Sequence, residues 1–549
     1  LQQYCAPWTY MQPETRRALK RLDVFFDEQF RGLPIMALPR AAAVAHSLRA
    51  AEFKTLLTEE HAYRDQDLNL LWPARRLSQD GLRHLVYQLH QHTAPGGARR
   101  PTGREEFIAA AQLLSLCERY SIIEDSLALC RLELGELREG PPNIFRVQMN
   151  NAEAEKRLAT RFPSRESTKI RAMGRPPTAG DDPEIIRLFA DIRDRISPLG
   201  EGTFTFYRPA VLAEALSVAD RTISMLDRTL PTDWSIGPYT LEQFWRFWAV
   251  LSGLTMSQRM AATAVIAFLA PACAPLNTPL VEMSPASLIA QVSAISGLTE
   301  KVAASIVSDL TYDPQLKGTD IMFQPLVVAG DRCVVMPSII EGSNAERNLI
   351  ALWNKKPDRK SVYDTLSPKK EALFLTELSQ MFREEHLHVK PRVKIGDLTD
   401  ADLVVWCMRE RMCLIIQAKW LYGPDSILEV LSHDRQLQAG AEQARVALDW
   451  VASHPEDFLR RCEMTPGPIN GVFACVISKV GAPTCYAFSA DIPIVDIREF
   501  EAALHRPTRI PDIHRRLLKG VSGVALLGPA EEFEIDVPPI KFVKLGYSI

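Results

Sequence analysis

The sequence predicts a multidomain chain: a mostly α-helical N-terminal region followed by an α/β C-terminal domain built on a mixed sheet. Three observations predict it. Apolar residues recur three and four apart through most of the stretch up to about Thr311, which is the period of an amphipathic helix. Two short β-rich runs flank Gly330-Asp331, a hairpin signal. Past residue 360 helix-like and strand-like segments alternate, as they do in α/β domains.

Composition narrows the function classes. At 549 residues the chain exceeds one ordinary core, and about two to four domains are expected. Hydrophobic (46%) and charged (24%) contents are those of a globular chain, not a disordered one. A formal net charge of -3 offers no global attraction to nucleic acid, so such a partner must be met by a local basic surface. The 10 cysteines form no Cys-x-x-Cys pair. That argues against a zinc site or a disulfide framework and fits a reducing, cytoplasmic setting. No membrane segment is expected. The longest apolar run, "MAATAVIAFLAPACAPL" from Met260, is broken by prolines and falls short of the roughly 20 residues a spanning helix needs. No charged-then-apolar signal segment opens the sequence. A GxxxxGK[ST] phosphate loop is missing too, which removes the ordinary NTPases.

In chain order, residues 1–172 read as a helical domain, with "FIAAAQLLSLCERYSIIEDSLALCRLEL" as its strongest amphipathic stretch. Loops are expected at 93–104 and 136–143, and a break at "MGRPPTAGDDP", 173–183. Residues 183–355 form a second, mostly helical domain. Its "SLIAQVSAISGLTEKVAASIVSDLT" has the outline of a helix-turn-helix, but the second helix carries Glu300, Lys301 and Asp309 and no row of cations for phosphates. The hairpin at Gly330-Asp331 and a helix capped by Asn344 complete it. Residues 360–549 form the third domain.

That domain holds the chemistry. "SPKKEALFLTELSQMF" (367–382) is expected to start at Ser367 as N-cap with Pro368 in the first turn. At about 100° per residue, Phe374, Leu375, Leu378, Met381 and Phe382 form one stripe, with Glu371 near its middle. An acid there is costly unless something requires it; alternatively Glu371 lies in an exposed first turn that the helix dipole favours. "HVKPRVKIG", "ADLVVW" and "CLIIQAKW" read as three strands, the last two joined by a turn at "RERM". Alternation then puts Asp402, Val404 and Trp406 on one face and Gln417 and Lys419 together on the neighbouring strand. A carboxylate and an amide oxygen can hold a hard cation, and a nearby lysine can orient or deprotonate a water.

The order Glu371, Asp402, Gln417-Ala418-Lys419 on helix, strand, strand resembles the PD-(D/E)xK nuclease superfamily. The closest match is its Mrr-like restriction endonuclease branch, in which glutamine often stands for the acid before x-K. The resemblance covers about residues 360–510, and its downstream order of helix, strand, strand and helix also fits. It implies a restriction-endonuclease-like sheet and a Mg²⁺- or Mn²⁺-dependent endonuclease. Asp402, Gln417 and Glu371 would be metal ligands, and Lys419 would activate the nucleophile. DNA is the implied substrate, with RNA left open. Since one site cuts one strand, a homodimer, a larger assembly or a partner protein is implied as well. By family habit the role would be prokaryotic defence, with the helical region as sensor or assembly module. Ala401 precedes Asp402 where the family often has proline, and the neutral Gln417 weakens the metal site. The competing reading is a catalytically silent nuclease-like domain that binds nucleic acid or protein. On the helix after the third strand, Gln436 and Gln443 lie two turns apart on one face and are the candidate nucleic-acid contacts.

Overall fold

A computed structural model of the chain describes residues 12–64, 68–97, 103–140, 143–150, 196–200, 203–206, 230–264, 280–382, 387–397, 399–422, 427–479, 491–504, 509–520 and 530–547. The break expected at 173–183 and the apolar stretch beyond Ala264 lie outside them. The chain clusters into two compact units. One is drawn from within Leu1–Val147, Arg165–Tyr363 and Glu534–Lys544; the other from within Gln148–Ser164, Asp364–Phe533 and Leu545–Ile549. This differs from the three domains expected, because Leu1–Val147 and Arg165–Tyr363 fall in one unit, which also takes Glu534–Lys544 from near the end of the chain.

The first unit is mostly helical. Helices α1 (Pro13–Arg31), α2 (Arg40–Arg64), α3 (Leu68–His92) and α4 (Arg104–Arg131) open it. On α1, Leu19, Leu22, Phe26 and Phe30 recur three and four apart and are buried, which is why that helix needs neighbours to be stable. Strands β1 (Gly135–Gly140) and β2 (Ile144–Met149) follow, then a two-stranded β3 (Ile196–Gly200) and β4 (Thr203–Phe206). Next come α5 (Leu241–Ala264), β5 (Val281–Met283), α6 (Pro285–Ser296) and α7 (Glu300–Leu310). Ser284 caps α6 by accepting the Ser287 N–H, and Gly297, at φ +70°, ends it. The helix-turn-helix outline is therefore present as α6 and α7. However, Asp309 of α7 is buried, bound by the Tyr239 hydroxyl at 2.8 Å and the Lys356 ammonium at 3.0 Å. Helix α7 is thus tied into a core. β6 (Val327–Ala329) and β7 (Arg332–Val335) turn at Gly330 (φ +69°), and helices α8 (Pro337–Gly342) and α9 (Ala345–Lys355) follow, the latter capped by Asn344.

The second unit centres on one mixed sheet. Its strands are β8 (Leu387–Ile395), β9 (Thr399–Cys407), β10 (Met412–Lys419), β11 (Gly471–Ser478) and β12 (Ile494–Asp496), in spatial order β12-β11-β10-β9-β8. Pairings β8/β9 and β9/β10 are antiparallel; β10/β11 and β11/β12 are parallel. Helices α11 (Ile427–Ser453) and α12 (Pro455–Arg461) cover one face, where Leu437, Ala441, Ala444 and Phe458 pack on Val404, Trp406, Cys413 and Ile415. Helices α10 (Lys360–Gln380), α13 (Ile497–Leu504) and α14 (Ile510–Gly520) cover the other, with Phe374, Leu378, Phe500 and Leu517 against Leu403, Val405, Leu414 and Ile416. Burial on both faces explains why "LVVW" and "CLIIQ" read as near-continuous apolar runs. Helix α10 begins at Lys360 rather than at the expected Ser367 cap and continues through Pro368. The ring removes the bond to the carbonyl four residues back, which belongs to exposed Asp364, where water can replace it.

The C-terminal strands β13 (Ala530–Val537) and β14 (Ile540–Tyr547) complete a sheet of order β1-β2-β14-β13, and their segment Glu534–Lys544 clusters with the first unit and not with the 360–549 domain expected from the sequence. A two-stranded ribbon is marginal alone, and β14 supplies β2 with a parallel partner that sets Phe542 opposite Phe145, both fully buried. Among the described residues, no helix is long and apolar enough to cross a membrane. Phe542→Ala is expected to cost about 3–5 kcal/mol. By hydrogen exchange, amides of β1, β2, β13 and β14 should lose protection while those of β9, β10 and β11 keep theirs. Equal loss in both sets would refute the division into units.

Candidate active site

The candidate residues meet where two strands part. β9 and β10 pair from Cys407↔Met412 to Leu403↔Ile416 and no further. Beyond that point Gln417, Ala418 and Lys419 pair only with Val476, Ile477 and Ser478 of β11. On the other arm, Ala401, Asp400 and Thr399 pair only with β8. The sheet therefore opens into a fork, and extending the register by one residue sets Asp402 opposite Gln417 across its base.

Two side chains bridge the fork in place of the backbone ladder. Asp402 Oδ2 accepts the Ala418 N–H at 2.8 Å, and Gln417 Nε2 donates to the Asp400 carbonyl at 2.7 Å. The expected sharing of a face by Asp402, Val404 and Trp406 needs correction at its first member. Val404 and Trp406 lie under α11, and Leu403 and Val405 under α10, but Ala401 lies under α11 as well. Strict alternation would put Ala401 with Leu403. The phase reverses at Asp402, whose carboxylate is turned toward the strand edge, where a backbone N–H of β10 can reach it.

Gln417 and Lys419 keep the expected common face. Gln417 is 1% exposed. Lys419 runs under α11, where Nζ donates to Gln443 Oε1 at 3.0 Å. Gly440 makes room for it: a Cβ there would lie 3.0 Å from Lys419 Cε and 3.2 Å from Val476 Cγ1. Gln443, read from the sequence as a nucleic-acid contact, is thus a partner of the lysine. Gln436 lies exposed on the same helix and, among the described residues, makes no hydrogen bond to the fork. Glu371 is exposed in the middle of α10, in neither of the two settings considered from sequence, yet its charge reaches Asp402.

Electrostatics set Asp402 apart. Burial pushes its carboxyl above the ordinary range, Glu371 and Asp400 add to the rise, and the Ala418 N–H and Lys419 ammonium oppose it. Beside Glu371, burial pushes the Lys370 ammonium down to about 8; its Nζ sits 4.2 Å from the Tyr422 ring centre. Neither Lys370 nor the Asp400 carbonyl was singled out in the sequence. Among the described residues no three His, Cys, Asp or Glu side chains converge as a ready-made metal cage. The fork offers a desolvated carboxylate, an amide tied by its nitrogen and so left with its oxygen for a ligand, and an acid close by. Comparison of the chain with protein-family models, curated proteins and solved structures finds no match.

Two substitutions have opposite expected signs. With Asp402 raised in the folded state, the folded form binds its proton more tightly than the unfolded chain. The charged carboxylate therefore lowers stability at neutral pH, and this cost disappears below the ordinary carboxylate range. Asp402→Asn, which still accepts the Ala418 N–H, is expected to raise Tm at pH 7 in metal-free buffer, with the gain vanishing in acid. Gln417→Glu loses the donor to the Asp400 carbonyl and is expected to cost about 1–3 kcal/mol at pH 7. It should recover in acid, where a protonated carboxyl can donate. Melting curves against pH that show both variants flat would disprove the bridged fork.

Proposed function

We propose that the second unit is a restriction-endonuclease-like domain of the PD-(D/E)xK type and a metal-dependent nuclease that hydrolyses phosphodiester bonds in DNA. The observation that carries the reading is the convergence of Asp402, Gln417 and Lys419 at one fork of a mixed sheet covered on both faces, with Glu371 within electrostatic reach. Asp402's raised carboxyl fits it too, because a desolvated carboxylate gains most from a cation.

The donor set suits a hard ion. Mg²⁺ uses one or two carboxylates and keeps several waters, so Asp402, the Gln417 amide oxygen and Glu371 would suffice to hold Mg²⁺ or Mn²⁺. When bound, the ion supplies Lewis-acid stabilisation of charge on the phosphoryl oxygens. Lys419 presents its amine beside the attacked phosphate, orients the water and balances the charge that develops. Gln443 holds that amine at 3.0 Å, and Gly440 lets the stem pass. A duplex has two strands and this fork is one site, so two copies or a partner protein would be needed for a double-strand cut.

The silent-domain reading draws on one observation: Gln417 is neutral where a second carboxylate would bind the ion more strongly, and a glutamate there would lose the bond to Asp400. Incubation of plasmid, linear DNA and RNA with the protein, with and without Mg²⁺ or Mn²⁺, separates the two. Wild type is expected to cut DNA only with metal. Asp402→Ala and Lys419→Ala are each expected to fall by at least about a hundredfold, the scale of losing one preorganised transition-state contact. If both variants cut like wild type, the active site lies elsewhere; if wild type cuts nothing, the silent reading holds.

A further inference from the structure

β8 is an edge strand of the sheet. It pairs with β9 at Pro391↔Leu403 and Val393↔Ala401, and between these pairs Arg392 stands opposite Asp402 with neither in the ladder. Arg392 has φ +54°, in the left-handed region. Glycine or asparagine fills such a position at little cost, whereas an arginine is strained there. Its side chain is exposed and makes no hydrogen bond or ion pair among the described residues. Along the strand, Lys390 is paired with Glu463 at 2.5 Å, while Lys394 is exposed and its ammonium is unpaired among the described residues. A strained backbone, a free guanidinium and the irregular residue of β9 therefore coincide at one register position.

We propose that Arg392 is a phosphate-binding residue of this site, which grips the backbone of duplex DNA beside the bond that Asp402 and Lys419 address. The proposal rests on the nuclease reading above and deepens it. A guanidinium forks onto two phosphate oxygens, and a chain of net charge -3 needs such local cations to meet a polyanion. Charge on an edge strand also blocks pairing with another chain. Pro391 and Lys394 already serve that purpose, and neither explains a non-glycine residue at φ +54° facing Asp402.

The test uses Arg392→Gly and Arg392→Lys in the full chain. Glycine accepts the left-handed backbone, so Tm should stay level or rise, which separates folding from binding. Binding of a labelled duplex is followed by fluorescence anisotropy across a salt series without divalent metal. Arg392→Gly is expected to bind several-fold more weakly at low salt, with the slope of log K against log[salt] shallower by about 0.9. Arg392→Lys should regain the slope and only part of the affinity, since it returns the charge without the fork. Wild-type affinity and slope in Arg392→Gly would overturn the assignment of Arg392 alone. A wild type that binds no duplex at any salt would overturn it together with the nuclease reading.

Discussion

When neighbouring antiparallel strands part, their facing N–H and C=O groups lose each other, and a buried group left unpaired is expensive. That constraint governs the second unit. β9 and β10 part after Leu403↔Ile416, and the groups exposed by the parting are met by side chains: the Asp402 carboxylate takes the Ala418 N–H, and the Gln417 amide serves the Asp400 carbonyl. Each residue does structural work that fixes where its remaining oxygen can act. Polar residues on two otherwise apolar strands are thus explained by the fork they close, and the proposed cation would use the oxygens they leave over.

The rest of the unit keeps the fork rigid. Covering the sheet on both faces buries Trp406, Ile415 and Ala474 under α11, and Leu403, Ile416 and Cys475 under α10, α13 and α14. β9 and β10 can then part at one end without unzipping along their length. The short residues of α11 that face the sheet, Gly440, Ala441 and Ala444, let that helix come close enough for Gln443 to reach Lys419. Desolvation is the other consequence. It raises the Asp402 carboxyl and leaves the domain holding a charge that would be better neutralised, an arrangement that sites built to bind a cation tolerate at some loss of stability.

Much of this was legible in the residues because period and alternation report on neighbours along one element. Strands β8, β9 and β10, the long helix α11 and the shared face of Gln417 and Lys419 all follow from such local patterns. What was not legible depends on partners far apart in sequence. Nothing in "TDADLVVW" shows that alternation reverses at Asp402, since the reversal is set by the parting from β10. Pro368 looked like a helix start because a proline fits the first turn, and only the exposure of Asp364 shows why the helix runs through it. Arg392 carries no glycine to mark its left-handed backbone. A lone glycine inside a long helix, Gly440, did carry a readable signal of close approach. The destination of β13 and β14 was hidden for the same reason: β2, the partner of β14, lies almost four hundred residues earlier.

The claim on which the rest turns is that the fork holds a divalent cation through Asp402. Titration of Mn²⁺ into the metal-free protein by calorimetry addresses it without any assumption about substrate. A saturable site is expected in wild type, lost in Asp402→Ala and retained in Lys419→Ala, because the proposed role of the lysine is toward the phosphate and not the ion. Equal Mn²⁺ binding by wild type and Asp402→Ala, or none by either, would contradict it.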